Sequence, residues 1–139
     1  MFQLCNISNN FVGTFPFESD INDYITQFSL ENNIFCATIQ FIGSVKSVTL
    51  GFYNQREQEY EIKEFNAPLE IVSGLGNISL KDEKPFFHAH VVLSTNTFQT
   101  IAGHLFKSKI FAGEFCINVM NNPKLIREHD SNTGLSLWK

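Results

Sequence analysis

Apolar residues along this chain run together or alternate with polar ones over most of its length, and only one stretch carries helical spacing. Ile21, Tyr24, Ile25 and Phe28 fall three and four apart just after Ser19 and Asp20, side chains that cap helices by accepting backbone N–H bonds. This predicts one helix over 20–31, stopped at Asn32 and Asn33. Extended runs rich in aromatic and β-branched residues are predicted at 11–17, 34–42, 45–53, 59–65, 69–80, 85–93 and 110–120. Gly43 and Ser44 interrupt the second and third of these and mark a bulge or a bend. Strands outnumber helices and the connections are short, which favours antiparallel pairing over a doubly wound parallel sheet. The expected class is α+β: a largely antiparallel β-sheet with one main helix. The tail over 121–139 contains Pro123 and Gly134 and is expected to wrap the surface and dock Trp138. No linker, repeat or low-complexity segment divides the chain, so 1–139 reads as a single domain.

Composition narrows the picture. A chain of 139 residues can bury roughly two-thirds of its unfolded surface and needs no disulfides for a core. Fifteen phenylalanines against 17 % charged residues are more apolar aromatic material than a small monomer easily hides, which points to an oligomer interface. The formal charge is −4 and the ten Lys and Arg residues are scattered, against a broad phosphate-binding surface. Cys5, Cys36 and Cys116 are too far apart for a Cys-x-x-Cys pair and are expected to be core thiols in a reducing cytosol. Met1-Phe2-Gln3-Leu4 has no basic leader character, and no apolar run approaches the ~20 residues that span a bilayer. A soluble, cytoplasmic protein without membrane partners is the expectation.

The candidate chemistry lies in two phrases, Pro85-Phe86-Phe87-His88-Ala89-His90-Val91-Val92-Leu93 and Ala102-Gly103-His104-Leu105. In a strand, residues two apart share a face, so His88 and His90 project side by side with Cα atoms roughly 6.5 Å apart. Phe87, Ala89, Val91 and Leu93 then form the core face. His104 lies fourteen residues past His90, enough for a strand, a turn and a return beside it, with Gly103 offering a sharp turn. Three neutral imidazoles suit Zn²⁺ first, with Ni²⁺, Fe²⁺ or Co²⁺ as substitutes, and leave a coordination position open for water or a small ligand. Glu114 is the candidate acid/base for that position; its alternative role is an ion-paired strand acid or a hydrogen-bond partner of a histidine.

Other motifs are weaker. Gly74-Leu75-Gly76-Asn77-Ile78-Ser79 lacks the Lys-Ser/Thr of a P-loop, so its glycines suit a bulge or a close backbone approach. Glu70 reads as an edge residue or a buried ion-pair partner, and His129, beside Arg127, Glu128 and Asp130, as a solvated residue. The cysteines have no activating signature nearby.

The run from Leu69 to Leu80, then Lys84-Pro85-Phe86-Phe87-His88-Ala89-His90, then Gly103-His104-Leu105 and Glu114, resembles the plants-and-prokaryotes-conserved (PPC) domain family. The helix register and Ile42-Gly43-Ser44-Val45 also look like that family, so the resemblance spans nearly the whole chain. It implies an α+β domain assembled as a homotrimer, with a metal site near the subunit interface whose ligands match His88, His90 and His104. In the plant branch the domain follows AT-hook segments that read A·T-rich minor grooves, and no such segment occurs here. Prokaryotic members are often labelled predicted DNA-binding proteins. Ala102 and Glu83 stand where the family tends to have glycine, which affects local turns and none of the proposed ligands.

The preferred expectation is therefore a trimeric metal-binding protein with an open site for a small ligand, and catalysis is left undecided. The alternatives are a DNA-binding or DNA-associated regulatory protein and a scaffold trimer clamped by its metal.

Overall fold

The computed structural model describes residues 3–121 and 124–139; Pro123 of the predicted tail lies outside the described residues. The elements are β1 (Asn6–Thr14), α1 (Ile21–Glu31), β2 (Ala37–Asn54), β3 (Glu59–Phe65), β4 (Leu69–Lys81), β5 (Lys84–Ser94), β6 (Thr100–Asn121), β7 (Arg127–His129) and β8 (Ser136–Trp138). The predicted α+β class, a largely antiparallel sheet with one helix, is the architecture observed.

The long strands β2 and β6 pair antiparallel with each other along most of their length. On its other edge β2 carries β4 over its first half and β3 over its second. β6 carries β5 at its start and β1 at its end. Because β4 also pairs with β5, the strands β2, β4, β5 and β6 close into a ring, which leaves those four strands few free backbone edges. A hairpin of β7 and β8 lies against β4, tied on by the Leu80 amide donating to Leu125 O.

The helix begins where Asp20 accepts the Asp23 amide at 2.9 Å. The same carboxylate accepts the Ser108 amide at 2.6 Å, and Ser108 Oγ accepts the Ile21 amide, so the N-cap fastens α1 onto β6. Asn22 donates to the carbonyls of Leu105 and Phe106, immediately after His104. Ile21 and Ile25 are fully buried against the sheet, each contributing about 1.5–3 kcal/mol by leaving water. Asn33, with φ 54°, ends the helix as predicted. Among the described residues no helix is long and apolar enough to cross a membrane.

Three boundaries differ from the sequence expectation. The first strand is Asn6–Thr14, not 11–17, because Pro16 lacks an N–H and Glu18 adopts φ 62°, turning the chain towards α1. Its polar half was hidden because an exposed edge strand needs no apolar alternation. The runs 34–42 and 45–53 are one strand: at Gly43, φ is 144°, and a Cβ would run into the Ala112 carbonyl oxygen, so the glycine marks a register shift rather than a break. The run 110–120 is the second half of the 22-residue β6, whose first half is masked by the polar Lys107-Ser108-Lys109. In place of three core thiols, Cys36 is buried, Cys116 half-buried and Cys5 exposed.

Candidate metal centre

Strand geometry positions the first two histidines. In β5, Phe87, Ala89, Val91 and Leu93 point into the core and are buried, so His88 and His90 necessarily share the opposite face. His104 arrives by register: β5 and β6 pair with His90 directly opposite His104. The turn between them spans 95–99, not Gly103, which lies within β6. There a Cβ would stand 2.9 Å from Gly51 O, so the glycine allows β2 to approach and seat His104.

The three rings form a tight triangle. Ring centroids lie 5.2 Å (His88–His90), 5.0 Å (His88–His104) and 5.3 Å (His90–His104) apart, and one nitrogen from each lies within 4.8 Å of the others. Tyr60 and Phe106 pack on His104 with centroids at 5.0 and 4.7 Å. Burial, reinforced by His104 and then Arg127, holds the His88 pKa down at about 4. Burial, then His90 and Arg127, does the same to His104, again to about 4. Both rings are therefore neutral at pH 7, the form that donates a lone pair to a metal. Among the described residues His104 Nδ1 is buried and has no hydrogen-bond partner, a costly state for a polar atom. On chemistry, spacing and this orphaned nitrogen, the three residues fit a divalent transition ion.

Arg127, which the sequence offered only as a neighbour of His129, borders the triangle. Its Nε donates to Ser79 Oγ at 2.8 Å, Nη1 to Ser136 O at 3.0 Å and Nη2 to Asn77 Oδ1 at 2.9 Å. Nη2 also lies 3.4 Å from His88 Nδ1. A cavity of about 610 Å³ opens here, bordered by His88, Arg127, Asn77, Thr38, Cys36 and Trp138 among others. No spacing rule links Arg127 to the histidines, because a separate hairpin delivers it; the Gly74–Ser79 segment contributes through Asn77 and Ser79.

Glu114 is not brought to the histidines. It sits ten residues beyond His104 along β6, opposite Thr14 and Ile42, exposed at a second cavity of about 580 Å³ with Val12 and Leu75. The Gly74–Ser79 segment is plain β4, with Gly76 close enough to β5 that a Cβ would stand 2.6 Å from His88 O. Glu70 is exposed on β4, opposite Ser44 and Ser94, and His129 is exposed.

Fold and site together define a one-helix, mostly antiparallel β domain with a three-histidine group that could hold a metal ion. The chain belongs to the Plants and Prokaryotes Conserved domain family (PCC, also written PPC), whose sequence model matches residues 3–121. A metal-containing protein from Archaeoglobus fulgidus is 36 % identical over 100 % of this chain and 99 % of its own, with a TM-score of 0.96. A PPC protein from Pyrococcus horikoshii is 28 % identical over 100 % of this chain and 96 % of its own, also with a TM-score of 0.96. A presumptive DNA-binding protein from Bacteroides thetaiotaomicron, 24 % identical over 99 % and 98 % with a TM-score of 0.88, shares the fold. No curated protein matches the chain in sequence.

Proposed function

We propose that this protein binds one divalent transition metal per chain through His88, His90 and His104, with Zn²⁺ the first choice and Ni²⁺, Fe²⁺ or Co²⁺ able to substitute. The observation that carries the reading is the convergence of three imidazole nitrogens within 4.8 Å of one another, one ring holding a buried nitrogen that has no partner among the described residues. The likeness to a metal-containing archaeal protein over the full chain supports it. Three protein ligands leave a position open, where a bound ion supplies Lewis acidity towards an oxygen ligand. Of the chain's own residues, Tyr60 and Phe106 pack against His104, and Arg127 stands beside His88.

The reading includes a homotrimer of single-domain chains covering 1–139. Val12, Ile42 and Leu75, exposed at 82 %, 55 % and 61 %, line one cavity and form an apolar surface suited to burial between copies. A DNA-associated role has weaker support, since the net charge is −4. Calorimetric titration of Zn²⁺ into chelator-treated protein tests the metal assignment. One ion per chain is expected for the wild type and none for His90→Ala; equal uptake by both refutes it. Light scattering should give the mass of three chains.

A further inference from the structure

Arg127 lies beyond residues 3–121, the stretch that the family's sequence model matches, and the three-histidine triangle does not require it. The guanidinium is nonetheless elaborately held. Its Nε, Nη1 and Nη2 donate to Ser79 Oγ, Ser136 O and Asn77 Oδ1, and Ser79 is itself fully buried. The rings of Phe86 and Trp138 flank it, with centroids 5.5 and 5.4 Å from Cζ. Every one of these partners is neutral. Among the described residues no carboxylate lies within ion-pair distance of it.

Drawing an arginine charge partly out of water is costly, and a paired acid is the usual compensation. Here the charge is fixed in place and left without a counter-ion, facing a cavity of about 610 Å³ with no Asp or Glu in its lining. Three neutral imidazoles do not balance it, and a divalent ion among them makes the cavity more positive still. Beside the guanidinium the lining carries the apolar side chains of Leu125, Leu137, Trp138 and Met120, with Gln3, Thr38 and Asn77 as its neutral polar members. One planar cation beside an apolar wall matches a monocarboxylate with a short hydrocarbon tail. A phosphate dianion is matched best by more than one cation, and the lining offers a single cationic side chain.

We propose that this cavity binds a small organic monocarboxylate, with its charged end against Arg127 beside His88 and its tail on Leu125, Leu137 and Trp138. The Arg127 contact stands without a metal; a second contact, to an ion at the histidines, rests on the metal-binding reading. Arg127 thereby selects which ligand reaches the open position.

Trp138 is the chain's single tryptophan and flanks the guanidinium, so its fluorescence reports on the cavity directly. The full chain, chelator-treated and Zn²⁺-treated, is titrated with hexanoate and with hexanamide, which has the same tail without the charge. Hexanoate should give a saturable change and hexanamide none. Arg127→Gln should weaken hexanoate at least about ten-fold, the loss of a charge-assisted contact. Should Arg127→Gln fail to fold, Thr38→Glu decides: it places a competing carboxylate at the cavity wall on β2 and should weaken hexanoate similarly. Equal responses to hexanoate and hexanamide, no saturable response to either, or hexanoate binding unchanged in a folded variant would overturn the proposal. Metal content of the same samples separates the two readings. Arg127-dependent hexanoate binding without Zn²⁺ uptake refutes the metal site alone, and Zn²⁺ uptake without hexanoate binding refutes the carboxylate site alone.

Discussion

His90 and His104 face each other across the β5–β6 ladder, their rings 5.3 Å apart and nearly perpendicular at 89°. Neither pairing nor ring contact depends on a local motif. Both follow from the register of two strands joined by a turn at 95–99, and His88 completes the set because it is two residues from His90 on the same face. The site is thus as stable as that register.

Gly103 guards the register from below, where β2 passes close behind His104. Gly103→Val should lower unfolding stability by about 1–3 kcal/mol, since a side chain there meets Gly51 O and Leu50 Cβ and one strand must shift. Denaturant titration checks the stability, and metal binding should weaken together with it.

Acid should destabilise the metal-free protein in a defined window. His88 and His104 titrate at about 4 in the fold, below the ordinary value near 6.5 they regain on unfolding. Between those values the unfolded chain takes up protons that the native one does not, so stability is full above about pH 6.5 and falls as the pH drops towards about 4. Urea midpoints at about pH 7.5, 6 and 5 should decline in that order, and His88→Phe should flatten the slope.

The Asp20 carboxylate holds two amides, Asp23 in its own helix and Ser108 in β6. Asp20→Ala should cost about 1–2 kcal/mol, at the upper end for a helix cap because the Ser108 amide also loses its acceptor. Asp20→Asn should recover much of that loss. Thermal unfolding of the three proteins tests the ordering.

Metal removal should lower the melting temperature of the wild type. An ion present at about 100 times its dissociation constant stabilises the native state by roughly 2.7 kcal/mol. Chelator should have no effect on His88→Ala, which lacks one of the three ligands and so holds no ion to release.

The helix, the core face of β5 and the shared face of His88 and His90 were legible because each rests on a local period: three-to-four spacing for Ile21 and Ile25, two for Phe87, Ala89 and Leu93; His104 joins them through the β5–β6 register. The continuity of β6 was not, since polar residues at 107–109 break the alternation where α1 caps onto the strand through Ser108. Arg127 was invisible for a different reason. Its place beside His88 is set by the β7–β8 hairpin docking on β4, a tertiary contact without a sequence period. Glu114 attracted attention as an acid in an apolar strand, yet strand position says nothing of which cavity an exposed carboxylate faces.

The most direct measurement is elemental analysis of the purified, untagged protein beside the same protein carrying His88→Ala and His90→Ala. With three histidines as ligands, about one divalent transition ion per chain is expected in the wild type and none in the double variant. No metal in the wild type, or equal metal in both proteins, would contradict that assignment.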